Sequence, residues 1–146
     1  MANFVAGGLT SAGSTTLPVA ALVGSAAVLP RIREIGVFNT TSTAVALKLC
    51  RLTTAGTPGA SLGAVAMNPR NPEAAVAALR NTYSSTAPTT TDLGFRAVLG
   101  AAVGSGFVWT FDDFDLCVDA AANAGVGILV ENGTGQALQV YFKWSE

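Results

Sequence analysis

The chain has 146 residues, enough for one domain with one core. Half of it is hydrophobic and only 12% is charged, against roughly 25% in an average globular protein. Eight Lys and Arg against nine Asp and Glu give a net charge of -1, so the sequence lacks the basic patch that nucleic-acid binding needs and no nucleic-acid partner is expected. So little charge on so apolar a chain implies that protein covers part of the surface, as in an oligomer or a larger assembly.

Residues 1–29 are rich in Gly, Ala, Ser, Thr and Val, with scattered large apolar residues at Phe4, Val5, Leu9, Leu17 and Leu22 and no sustained period. They are expected to form an extended N-terminal arm that packs either on a neighbouring subunit or on its own domain. Removing them should leave the remainder, residues 30–146, folded as a β-sandwich domain. The apolar stretch from Leu17 to Leu29 falls short of the ~20 residues that span a bilayer, so no membrane partner is expected. No basic residue precedes it, as a secretory signal would require, so synthesis in the cytoplasm is expected.

From Arg31 the pattern becomes regular. RIREIGVFN places Ile35 and Val37 on one face of a strand, and AVALKLCRLT alternates Val45, Leu47 and Leu49 against Ala46, Lys48 and Cys50, so the two are expected to pair across the polar turn 40–43. Arg31 and Arg33 read as a solvated strand edge. After a loop at 54–59 and a short strand at 62–67 comes NPEAAVAALR, where Asn71 can cap, Pro72 suits the first helical position and Glu73 suits the first turn. One short helical turn near residues 72–80 is therefore expected, followed by a polar loop over 83–92.

Three further strands follow: 94–103, then GFVWTF with Phe107, Trp109 and Phe111 on one face, then FDLCVD with Phe114, Leu116 and Val118 on one face. The last segment, GVGILVENGTGQALQVYFKWSE, alternates Val126, Ile128 and Val130, then Leu138, Val140, Phe142 and Trp144, around Asn132-Gly133-Thr134-Gly135. That is the pattern of a β-hairpin, with Gln139, Tyr141 and Lys143 on its outer row. Seven or eight short antiparallel strands describe an all-β protein, a β-sandwich or jelly roll, with Trp109, Phe111, Phe142 and Trp144 dominating the core.

Chemistry is hard to place on this chain. It has no histidine, which removes the commonest general base and metal ligand, and no catalytic or cofactor-binding residue is assigned. Cys50 and Cys117 lack zinc spacing and read as two thiols rather than a bridge, although spacing alone does not decide this. Asp112, Asp113, Asp115 and Asp119 lack the pattern of a calcium loop, so they read as a solvated turn and strand face and no metal site is assigned. The glycines around 104–106 and 133–135 lie between strands with no helix behind them, and read as turns rather than phosphate loops.

The runs ALKLCRLTTAGTPG, AVAMNPRNPEAAVAALRNTYSSTAPTTT and FVWTF, with the closing GVGILVENGTGQALQVYFKWSE, resemble the small capsid decoration proteins of tailed bacteriophages, also called cement or auxiliary head proteins. The resemblance covers about residues 31–146. It implies a compact sandwich or jelly roll that assembles as a homotrimer on the outer surface of the virion capsid. There it would clamp neighbouring copies of the major capsid protein, without enzymatic activity. No residue of the motif carries over as a functional site, because the matching positions are turn and core residues. From the chain itself, Phe4, Val5, Leu9 and Leu17, with Tyr141 and Lys143 on the outer row, are the candidates for contact with a subunit or the capsid. The alternative is a receptor- or glycan-binding jelly roll of a phage fibre or head spike, in which Tyr83 or Tyr141 would stack on a sugar.

Overall fold

A computed structural model describes residues 1–112 and 116–146. Among these there is no helix. Twelve strands form two antiparallel sheets: β1 (Asn3–Leu9), β2 (Ala20–Val23), β3 (Arg31–Asn39), β4 (Val45–Leu52), β5 (Ser61–Leu62), β6 (Val65–Ala66), β7 (Ala78–Arg80), β8 (Thr90–Leu99), β9 (Gly106–Thr110), β10 (Leu116–Cys117), β11 (Gly125–Asn132) and β12 (Leu138–Ser145). Sheet A runs β10-β3-β12-β1-β6, with β9 also paired to β3. Sheet B runs β5-β7-β2-β11-β4-β8.

The two sheets face each other across one core. Period-two alternation aims Phe4, Ala6, Ile35, Val37, Val140, Phe142 and Trp144 of sheet A at Leu22, Leu47, Leu49, Leu99, Val126, Ile128 and Val130 of sheet B, and all of them are buried. Trp109, in β9, and Phe111, just after it, join this core. Each large side chain so buried contributes roughly 1.5–3 kcal/mol. A second, smaller cluster lies on the outer side of sheet B, where Tyr83 covers Ala21, Cys50, Leu52 and Leu129. The loops around 53–57 and 84–89 hold that cover in place by pairing with each other, as in the bond from Ser84 N–H to the carbonyl of Thr57 at 2.9 Å.

Four expectations from the sequence are corrected. Residues 1–29 are not an arm: β1 lies between β12 and β6, paired from Asn3↔Ser145 to Leu9↔Gln139, and β2 lies between β11 and β7. The segment looks unpatterned because small residues stand where large ones would mark a strand: Gly7 lies against β12, and Ala6, Ala20 and Ala21 are buried. The unit that encloses the core therefore starts at the first strand and not at residue 30.

The closing segment is not a hairpin. β11 pairs with β2 and β4, whereas β12 pairs with β1 and β3, so the chain crosses from one sheet to the other between them. The crossing sets the apolar row of β11 opposite that of β12, where a hairpin would leave both rows on one side of a single sheet. β3 and β4 are separated in the same way, with β3 in sheet A and β4 in sheet B.

The helical turn near residues 72–80 is absent. Asn71 does accept the N–H of Glu73 at 3.2 Å, as a cap would, but the chain then bends at Val76 and Ala77 and enters β7. There the N–H groups of Val76 and Ala77 donate to the Glu146 carboxylate, at 2.5 and 3.1 Å. Ala77 and Leu79 are buried, so tertiary contacts outweigh a weak local helix preference.

The corners at one end of the sandwich are tied together by Asn39. This buried side chain donates to the carbonyls of Thr43, at 2.6 Å, and Gly100, at 3.0 Å, while its Oδ1 accepts the N–H and hydroxyl of Thr41. Thr40 in turn donates to the carbonyl of Ala137 at 2.6 Å. Three crossings, after β3, β8 and β11, are thereby fixed to one another.

Candidate interaction face

The outer face of sheet A brings together most of the residues singled out in the sequence. The register places Val5 beside Lys143, Gly7 beside Tyr141 and Leu9 beside Gln139, all pointing away from the core. On the other flank of β12, Lys143 neighbours Glu34, Tyr141 neighbours Gly36 and Gln139 neighbours Phe38. Val65 extends the face beyond Val5, and Val108 extends it beyond Gly36.

Tyr141 lies flat across β3 because Gly36 gives it room: a Cβ at residue 36 would fall inside the tyrosine ring. On the opposite side a Cβ at Gly7 would stand 2.6 Å from the carbonyl oxygen of Val140 and 2.8 Å from Cβ of Tyr141. The ring also stacks beside Phe38, with centroids 6.3 Å apart. Its hydroxyl donates to Oε1 of Glu34 at 2.6 Å, and Nζ of Lys143 reaches the same oxygen at 2.8 Å. Lys143 holds the Glu34 carboxyl below its ordinary value, with help from the Tyr141 hydroxyl. Burial, and then the bond to Glu34, pushes the Tyr141 phenol up to about 12. The face is thus an apolar strip, Val65, Val5, Leu9, Phe38 and Val108, around one internally neutralised polar triad.

Two of the candidates lie elsewhere. Phe4 points inward, 2% exposed, and stacks on Trp144, so it offers nothing to a partner. Leu17 packs against the smaller cluster on the outer side of sheet B. Phe38, Glu34, Val65 and Val108 complete the face and were missed. The available signal was a glycine inside each of two strands, Gly7 and Gly36, which marks a close approach.

Among the described residues, the other titratable groups with shifted values lie on the outer side of sheet B. Asp92 receives two bonds from the Arg96 guanidinium and one from the Gly94 N–H, which hold its carboxyl at about 2 on the exposed outer side of β8. Both thiols are free. Cys50 is buried on the outer side of sheet B, and burial pushes it up to about 12. Tyr83, expected as an exposed ring, is 3% exposed beneath its loop and cannot stack on a sugar. Among the described residues no three His, Cys, Asp or Glu side chains gather as metal ligands. Asp113, Phe114 and Asp115 lie outside the described residues; Leu116 and Val118, from the same segment, are buried in the core. No described helix is long and apolar enough to cross a membrane.

No protein-family model matches the chain, and neither a curated protein nor a solved structure does.

Proposed function

We propose that the chain is a structural virion protein that binds the outer surface of an assembled phage capsid and stabilises contacts between major capsid proteins. The observation that carries this reading is the outer face of sheet A, where Val5, Leu9, Val65, Phe38 and Val108 surround a charge-neutral Glu34–Lys143–Tyr141 group. A rigid, weakly charged surface suits protein-on-protein docking, and the reading assigns the chain no enzymatic step. A protein that binds only the assembled lattice stabilises it by mass action.

The fold is proposed to be a jelly roll. What supports this is the nested pairing of the eight principal strands: β1 with β12, β2 with β11, β3 with β9 and β4 with β8. Wrapping four antiparallel pairs around one core is the jelly-roll pattern, and such domains recur in capsids and lectins. The glycan-binding alternative rests on Tyr141 alone, since it is the tyrosine at the surface. A glycan array probed with the wild-type chain and with Tyr141→Ala tests it: binding that the substitution abolishes favours the alternative, and no binding removes it.

The capsid reading is tested by mixing purified chain with heads of the phage whose genome encodes it, then sedimenting the heads. Saturable co-sedimentation and heads more resistant to heat or dilution are expected. Heads that neither retain the chain nor gain stability would contradict it.

A further inference from the structure

A strand at the edge of a sheet exposes unpaired backbone groups, and proteins blunt such edges with short strands, kinks or charge. Among the described residues most edges here are blunted. β5, β6 and β10 have two residues each. β8 is kinked at Gly94, where φ is +84°, slips register against β4 between Lys48 and Cys50, and carries Asp92 and Arg96. β9, GFVWT, differs from all of them. It has no charge and no proline, and it runs beside β3 without a slip.

The pairing of β9 with β3 shows which backbone groups remain. Asn39 N–H donates to the carbonyl of Ser105 at 2.7 Å, and Phe111 N–H donates to the carbonyl of Arg33 at 2.9 Å. Antiparallel alternation then turns the N–H and C=O groups of Gly106, Val108 and Thr110 away from β3, towards the open side. Phe107 and Phe95, 42% and 40% exposed, lie at this edge of the core, edge-on to Trp109 and Phe111, and Val108, 39% exposed, stands on the outer face of the same strand. Taking aromatic side chains at 150–250 Å² and valine somewhat below, these three expose on the order of 200 Å² of apolar surface.

We propose that β9 pairs antiparallel with β9 of a second copy about a two-fold axis at Val108, joining sheet A of two chains into one continuous sheet. The occupant is a copy because the strand is complementary to itself. The pairing sets Gly106 against Thr110, Phe107 against Trp109 and Val108 against Val108, with no charge facing a like charge. A net charge of -1 lets two copies approach without long-range repulsion. This inference needs no capsid and stands apart from the capsid reading. A two-fold pair also differs from the trimer that the sequence resemblance implies.

The test is sedimentation equilibrium of the full chain over a concentration series, where a dimer has twice the 14.7 kDa of the monomer. Val108→Lys sets two ammonium groups together at the axis and is expected to weaken the dimer by roughly 100-fold or more while leaving the circular dichroism spectrum unchanged. Val108→Cys, in a Cys117→Ser background, brings the two residues to a Cα separation of about 5.5 Å, within disulfide range, so mild oxidation should give a covalent dimer that reductant reverses. If the lysine variant fails to fold, the cysteine variant decides. A monomer at high micromolar concentration, a trimer mass, or oxidation that yields no cross-linked dimer would overturn the proposal.

Discussion

Phe4 stacks on Trp144, with ring centroids 5.9 Å apart and planes 30° from parallel, so the fourth residue of the chain is bound to the third from its end. Both rings are buried, and the backbones that carry them pair in β1 and β12. The beginning of the chain is therefore a structural member of sheet A. Phe4→Ala is expected to cost about 3–5 kcal/mol, as truncation of a buried aromatic does. Deleting residues 1–29 should abolish the cooperative thermal transition, because it removes one strand from each sheet. A truncated chain that melted cooperatively near the wild-type temperature would contradict this.

Asn39 is expected to be the most sensitive polar side chain. Asn39→Ala leaves the carbonyls of Thr43 and Gly100 and the N–H of Thr41 without their partner at two connected corners. The loss should be about 2–4 kcal/mol, by analogy with other buried hydrogen-bond deletions. Urea denaturation checks it through the midpoint, and a shift worth less than about 1 kcal/mol would count against the role of this residue.

The seat of Tyr141 predicts a steric effect at Gly36. Gly36→Ala places a methyl group where the ring now lies, so the ring must lift and the bond to Glu34 must break. A loss of about 1–3 kcal/mol is expected, the range typical of overpacking. In a Tyr141→Ala background the same change should cost much less. Equal costs in the two backgrounds would show that the ring does not occupy the space above residue 36.

The two tyrosines should titrate late. Tyr83 and Tyr141 are both pushed up to about 12, each chiefly by burial. A phenol whose folded value is raised favours the neutral form, so its contribution is present below the ordinary value near 10 and is lost as pH rises from there towards about 12. Ultraviolet titration should show tyrosinate forming near pH 12 in the folded chain and near 10 in denaturant. A folded-state midpoint near 10 would contradict the described environments. At the acid end the sign reverses for Glu34: its lowered value means that stability is present above the ordinary carboxyl value of 4.5 and is lost below it.

Much of the architecture was legible, and the limits have physical causes. Period-two rows identified the inward residues of β3, β4, β9, β11 and β12, and Trp109, Phe111, Phe142 and Trp144 are indeed buried in the core. A row says which way a side chain points, but it does not say which strand lies alongside. A tight hairpin and a crossing between sheets both use Asn and Gly, so the turn after Asn132 could not separate them. β1 was illegible because Gly7 faces Tyr141 where a large residue would mark the strand, and β2, AALV, is too short to show a period. The outer face needed the register: Val5, Tyr141 and Phe38 become neighbours only when β1, β12 and β3 are laid side by side.

The central claim is that the outer face of sheet A docks on a phage capsid. It is tested most directly by co-sedimenting the wild-type chain and a Leu9→Lys variant with heads of the encoding phage. Leu9 is 54% exposed on that face, so the substitution should leave the fold intact while setting a charge in the docking strip. The account predicts saturable binding of the wild type and at least a tenfold weaker binding of the variant, since an unpaired charge in an interface costs more than 1.4 kcal/mol. Wild-type chain that stays in the supernatant, or a variant that binds as tightly as the wild type, would contradict it.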